Sequence, residues 1–149
     1  MKKSFCIICV ANYCRSPVAE NLLKQRFEHK YEFFSAGLSP IAQPNMDPRS
    51  LEFLKKNNIN YGLHTPKKIN KKMLNYFDKF LAVDLYVLNK LNTMYPKYRY
   101  KFLSLTMQFS DVNIIDPYHF HGDEYTRTMN DIKYVTEKIN LEEFFKSQG

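Results

Sequence analysis

The apolar run from Ser4 to Cys9 stops abruptly, gives way to V-A-N-Y-C-R-S, and resumes after Pro17 as a helical stripe. This junction constrains the fold more than any other stretch of the chain. Ser4 to Cys9 reads as a strand, while Val18, Ala19, Leu22, Leu23, Arg26 and Phe27 recur at spacings of three and four, as one face of a helix does. Pro17 supplies the fixed φ that suits a first helical turn. Val10 to Ser16 therefore form a strand-to-helix turn whose backbone N–H groups can converge beside the positive end of the helix dipole.

Such a turn suits phosphate, and the residues within it suit phosphoryl chemistry. A phosphate monoester is a dianion, so nucleophilic attack requires its equatorial oxygens to be neutralised without blocking the attacking atom. Backbone amides and the planar, bidentate guanidinium of Arg15 can do this where a lysine could not. Cys9 is expected to be favoured as thiolate by the helix N-terminus, the loop amides and Arg15, and to attack phosphorus directly. Ser16 is placed to donate a hydrogen bond to that thiolate, and Asn12 to fix the loop by bonding across it. The alternative makes Cys9 a small buried hydrophobe and Arg15 a solvated charge. The agreement of strand, R-S-P ending and helix weighs against it.

Cys6 and Cys9 also spell C-x-x-C, a redox or zinc pattern. Residues three apart on a strand point to opposite faces, and no second C-x-x-C or H-x3-H pair exists to complete a zinc site. Cys6 is expected in the core. Cys14, folded back by the loop, can form a reversible disulfide with Cys9 under peroxide, or can merely pack beneath the loop.

At 149 residues the chain is expected to be a single domain, residues 1–149, with length enough for a proper core. Three cysteines outside any spaced framework argue for a reducing, cytoplasmic setting. No apolar run approaches a membrane span, and the stretch after Met1-Lys2-Lys3 is too short for a signal peptide. A net charge of +7 raises the possibility of nucleic-acid binding, with basic residues at Lys67, Lys68, Lys71 and Lys72 and an aromatic-cationic run from Tyr95 to Phe102. Such runs are more often solvated faces with half-buried tyrosines, so no nucleic-acid partner is expected; the charge favours attraction of acidic phosphorylated partners over nucleic acid.

Strand and helix signals alternate along the rest of the chain, the pattern of an α/β domain with a parallel sheet. Tyr31 to Ser35 reads as the second strand. Asp47 and Pro48 open a helix carrying Leu51 and Leu54, and Asn70 caps a shorter one carrying Met73, Leu74 and Phe77. Lys79 to Val83 is the third strand, followed by a helix with Leu85, Leu88 and Leu91, and Lys101 to Leu105 the fourth. Asp123 to Ser147 reads as a closing helix with Met129, Ile132, Val135, Ile139 and Phe144 facing the core. Before it lies I-I-D-P-Y-H-F-H-G-D. Expulsion of a phenolate calls for a general acid, and Asp116, stiffened by Pro117, can be that acid and later accept the proton of an attacking water.

With both motifs in view, the chain resembles the low-molecular-weight protein tyrosine phosphatases over most of its length. C-V-A-N-Y-C-R-S-P matches the family's opening loop, Ser35 to Gly37 its S-A-G, Asp47 to Arg49 its D-P-R, Leu81 to Asp84 its L-A-M-D and Asp116 to Tyr118 its D-P-Y. The resemblance implies a four-stranded parallel sheet with helices on both faces and the phosphate loop at the carboxyl end of the first strand. It implies that Cys9 is the nucleophile, Arg15 the phosphate clamp and Asp116 the general acid, with no cofactor and no metal. Val10, Ala11, Asn12, Tyr13, Cys14 and Ser16 form the phosphate-binding loop, Ile41 and Tyr118 the cleft walls with His119 beside them, and Ser35 and His64 the support. The substrate implied is a phosphotyrosine-containing protein, inorganic phosphate the product. A bacterial member could act on a tyrosine autokinase or on host proteins.

Three departures from the family pattern stand out. Ala11 replaces a usual glycine, which would slow the site if the position needs a conformation costly for alanine. H-T-P-K replaces H-x-[SA]-R, and Ile41 replaces an aromatic, giving a less aromatic mouth. Thiol-dependent arsenate reductases, which share such a loop, need downstream cysteines, and none follows Cys14. The remaining alternatives are a catalytically weak phosphotyrosine- or phosphate-binding module and, more distantly, a nucleic-acid-binding protein.

Overall fold

The computed structural model describes residues 1–146. Four parallel strands, β1 (Lys3–Cys9), β2 (Tyr31–Gly37), β3 (Lys79–Ala82) and β4 (Phe102–Ser104), form one sheet in the order β2-β1-β3-β4. Five α-helices join or follow them: α1 (Ser16–Phe27), α2 (Pro48–Lys56), α3 (Lys71–Tyr76), α4 (Leu85–Met94) and α5 (Asp123–Lys138). This is the α/β architecture the alternating signals predict.

β1 lies at the centre because its sequence tolerates cover on both faces: Phe5, Cys6, Ile7 and Ile8 are all fully buried. Burying each of Phe5, Ile7 and Ile8 contributes roughly 1.5–3 kcal/mol. From β1 the chain steps to β2 in one direction, whereas β3 to β4 steps in the other. With right-handed crossovers, α1 and α4 then cover opposite faces. The packing agrees, with α1 against β2 and α5, and α4 against β3 and β4. The direction reverses between β1 and β3, so the crevice beyond the carboxyl ends of these strands is the position where open α/β sheets bind ligands. Cys9 is the last residue of β1 and Asp84 follows β3 closely.

Side-chain caps set several helix starts, Asp47 and Asn70 among them as the sequence indicates. Asp47 accepts from the Arg49 N–H, Asn70 from Met73 and Asp84 from Val87. Boundaries differ from expectation in several places: β1 starts one residue earlier, at Lys3, Phe77 falls just after α3 rather than within it, and β4 stops at Ser104. β2 runs on to Gly37, and β3 stops at Ala82. Lys101 belongs to a 3-10 turn (Pro96–Lys101) rather than to β4, its ammonium donating to the Leu74 carbonyl while Tyr98 donates to Asn75. Part of the aromatic-cationic run is thus engaged at the end of α3. In α4 the inward residues are Val87 and Leu91, while Leu85 lies exposed in the first turn beside the cap.

The closing helix is shorter than its periodicity suggests. It ends at Lys138, Ile139 is extended, and Asn140 caps a 3-10 turn (Leu141–Phe145) by accepting from the Glu142 N–H. The bend lets Phe144 and Phe145 return edge-on to Phe5. Ser147, the expected end of that helix, lies outside the described residues. Among the described residues no helix is long and apolar enough to cross a membrane.

Candidate active site

A cavity of about 200 Å³ opens at the switch point, lined by Cys9, Val10, Ala11, Cys14, Arg15, Ile41, Asp116, Tyr118 and His119. The structure thus brings together the three residues for which the sequence suggests chemistry, from β1, the start of α1 and the segment 105–122. Of the other expected contacts, Val10, Ala11, Cys14, Ile41 and Tyr118 line the cavity. Asn12, Tyr13 and Ser16 are not among its lining residues. Asn12 and Ser16 are buried in the loop's support, and Tyr13 packs edge-on against Tyr118, with ring centroids 6.1 Å apart.

The sulfur of Cys9 receives two polar contacts. The Asn12 N–H donates to Sγ at 3.2 Å, and Ser16 Oγ lies 2.9 Å away. Asn12 Nδ2 donates to Ser16 Oγ (2.9 Å) and to Ser35 Oγ (3.0 Å), and Ser35 donates to Glu20 Oε1 (2.6 Å). Since Ser16 accepts from Asn12, its own proton is free to point at the sulfur. The Asn12 side-chain oxygen accepts from the Lys67 N–H at 2.9 Å, and Lys24 pairs with the far oxygen of Glu20. One buried carboxylate therefore orients a chain of donors that ends on Cys9.

Asn12 also bends the loop, at φ 53°, in the left-handed region that asparagine tolerates better than most residues. Ala11 does not have a positive φ. The expected cost of alanine at this position therefore does not arise, because the left-handed position falls one residue later. His64 holds the bend, its Nε2 lying 2.8 Å from the Asn12 carbonyl. A carbonyl only accepts, so Nε2 carries the proton. Burial lowers the His64 pKa from its ordinary value, outweighing the opposing bond to Asn12, and favours the neutral ring.

Arg15 is nearly inaccessible, at 2 % exposure, and its Nη1 is committed to protein. It donates to Asp84 Oδ2 at 2.7 Å and to the Ile114 carbonyl at 3.0 Å. The Nε and Nη2 protons bond no protein atom among the described residues, which leaves one planar edge for an oxyanion pair. Asp84 has two functions: Oδ1 caps α4 through Val87, and Oδ2 pairs with Arg15. Neither role is read from the sequence, where Asp84 marks only the end of the third strand. Its place just beyond the strand beside β1 was the available signal, since groups there face the same crevice. Glu20 was missed because a glutamate in a helix normally reads as surface charge, although it stands four residues after Ser16 on the same face.

Beneath the loop, Asp47 donates its N–H to the Tyr13 carbonyl at 2.9 Å, and the Cys14 thiol points at its Oδ2. Burial alone would raise the Asp47 pKa, but the side-chain and backbone bonds from Arg49 prevail and hold it below the usual carboxylate value. Burial pushes the Cys14 thiol up to about 12, and burial likewise raises Cys6 in the core. Neither is suited to be the attacking sulfur. All three cysteines are free.

A cysteine and an arginine closing a loop between a central parallel strand and a helix define the cysteine-dependent class of phosphate-loop hydrolases. Residues 4–147 match the family model described as low molecular weight phosphotyrosine protein phosphatase, and the chain belongs to this family. It is 28 % identical over 118 residues to the low molecular weight protein-tyrosine-phosphatase Wzb of Escherichia coli K12, covering 79 % of this chain and 80 % of that protein. Its fold is similar to a low molecular weight phosphotyrosine phosphatase from Vibrio cholerae O395 (TM-score 0.86, 22 % identity, 99 % of each chain). It is also similar to the YwlE arginine phosphatase from Geobacillus stearothermophilus (TM-score 0.83, 20 % identity, 99 % of each chain).

Proposed function

We propose that the protein hydrolyses phosphotyrosine in proteins through a phosphocysteine intermediate. The observation that carries this reading is the single cavity lined by Cys9, Arg15 and Asp116 together. Cys9 Sγ attacks phosphorus as thiolate, forming the S–P bond as the bond to the tyrosyl oxygen breaks. Arg15 and the loop amides hold the equatorial oxygens, whose charge they match without blocking the line of attack. Asp116 gives its proton to the departing phenolate oxygen. It then takes a proton from the water that attacks the phosphocysteine, releasing inorganic phosphate and the thiolate.

The partner is a phosphotyrosine-containing protein, and a bacterial tyrosine autokinase meets that description. A cytoplasmic setting, where thiols stay reduced, would keep Cys9 in the form that attacks. Because an arginine phosphatase shares the fold, the substrate class is part of the test. Turnover of p-nitrophenyl phosphate is measured for the wild type, Cys9→Ser and Asp116→Ala, followed by phosphotyrosyl and phosphoarginyl peptides. The proposal expects loss of turnover in Cys9→Ser, a large loss in Asp116→Ala and preference for the phosphotyrosyl peptide. An inactive, reduced wild type or a fully active Cys9→Ser overturns it, and an inactive wild type that still binds phosphate supports the binding-module alternative.

A further inference from the structure

Asp116 is exposed, and among the described residues its carboxylate makes one hydrogen bond, from the Tyr118 N–H to Oδ1 at 3.2 Å. Among the described residues no side chain holds it. Its position is set by the backbone of residues 105–122, which contains neither helix nor strand. Two guanidiniums grip that backbone on either side of the acid. Arg15 donates to the Ile114 carbonyl two residues before, and Arg49 donates to the Tyr118 carbonyl two residues after (3.0 Å) and to Phe120 (2.6 Å). The Phe120 N–H closes onto the Pro117 carbonyl at 2.9 Å, so both carbonyls held by Arg49 lie in the turn that immediately follows Asp116.

Arg49 is itself immobilised. Its Nε and Nη2 grip both oxygens of Asp47, at 3.0 and 2.8 Å, and its guanidinium lies 4.0 Å from the centre of the Tyr125 ring. The bond to Asp47 raises its pKa, so it stays charged. Asp47 in turn is bonded to the phosphate loop through Tyr13. The Asp47–Arg49 pair therefore connects the underside of the loop that binds phosphate to the turn that follows the acid.

Resting on the phosphatase reading above, we infer that Arg49 is a positioning residue for the general acid, holding Asp116 in register with the leaving-group oxygen through the Tyr118 and Phe120 carbonyls. A lysine cannot reproduce this, because one ammonium lacks the fork that spans a carboxylate and two carbonyls. Proton delivery matters most where the leaving group is most basic, so misplacement of the acid slows poor leaving groups selectively.

The experiment compares phenyl phosphate with 2,4-dinitrophenyl phosphate for the wild type, Arg49→Gln and Arg49→Lys, each also in an Asp116→Ala background. We expect kcat/KM on phenyl phosphate, which reports phosphoryl transfer to Cys9 and not the later hydrolysis common to both esters, to fall at least about tenfold in both variants, out of the roughly 10²–10⁴-fold that general acid catalysis contributes. The loss on 2,4-dinitrophenyl phosphate is much smaller, inhibition by vanadate changes little, and neither variant adds to the defect of Asp116→Ala. Arg49→Lys keeps a cation beside Asp47 and carries the test if Arg49→Gln does not fold. Equal losses on both esters, or losses that multiply with Asp116→Ala, overturn the inference while leaving the phosphatase reading intact. A wild type that turns over neither ester removes that reading and this inference with it.

Discussion

Gly37 is where β2 meets the phosphate loop. A methyl group added there would lie 2.7 Å from the Val10 carbonyl oxygen, 2.8 Å from the Asn12 nitrogen and 3.1 Å from the Ala11 carbonyl carbon. All three are backbone atoms of the loop, so none can rotate away as a side-chain tip would. Gly37 cannot retreat either, because its N–H donates to Lys67 and its carbonyl accepts from Ile69. Restoring ordinary van der Waals distance displaces the loop by about 0.7 Å, and overpacking of this kind costs about 1–3 kcal/mol of stability. The displaced atoms include the Asn12 N–H aimed at the Cys9 sulfur, and misplacements near 1 Å cost reactions about 10²-fold. Gly37→Ala is therefore expected to lower kcat/KM about 10²-fold, close to 2.7 kcal/mol of transition-state stabilisation, while the protein still folds. Steady-state kinetics on p-nitrophenyl phosphate, paired with urea denaturation, measures both effects. A folded variant with more than half the wild-type kcat/KM refutes the reasoning, because the loop would then have shifted without consequence.

Ser16→Ala removes the hydroxyl beside the Cys9 sulfur; hydrogen bonds to charged groups contribute about 1.5–3 kcal/mol, so kcat should fall roughly 10- to 100-fold with phosphate affinity little changed, as steady-state kinetics and product inhibition will report. Asp84→Ala leaves the buried Arg15 charge unpaired and removes the α4 cap, which should cost about 3 kcal/mol or more in urea denaturation. Vanadate should stabilise that variant more than the wild type by re-pairing Arg15, and equal stabilisation would count against the pairing. His64 has a lowered pKa in the folded state, so below about pH 6.5 the unfolded chain binds the proton more readily. Its contribution to stability is present above that pH and is lost as the pH falls, and His64→Gln should flatten the slope of unfolding free energy between pH 7 and 5.

The residues legible in the sequence are those whose role depends on near neighbours in the chain. The C-x5-R turn needs only a strand before it and a helix after it, and the caps Asp47 and Asn70 need only the N–H groups two or three residues on. What was not legible depends on groups far apart in the chain. Glu20 reads as a surface glutamate until Ser35 and Asn12 are brought against it, and the partnership of Arg49 with the Phe120 carbonyl spans 71 residues. The end of α5 was misread for another reason. Apolar spacing continues through Phe144, and only Asn140, a turn-forming residue within that spacing, marks the break. Ala11 shows the opposite case, where a departure from the family pattern suggested strain that the backbone places at Asn12 instead.

The proposed nucleophile and the proposed acid sit in regions of very different resistance to opening. Cys9 ends a strand flanked by β2 and β3, in the part of the molecule whose amides should exchange with solvent only through global unfolding. Asp116 sits in backbone without helix or strand, where a partial opening needs far less free energy. The two halves of the reaction can therefore be uncoupled by temperature or mild denaturant. As the segment around Asp116 loosens, the protein should pass through a state that still captures phosphate and accepts a phosphoryl group from activated esters, yet no longer releases tyrosine efficiently.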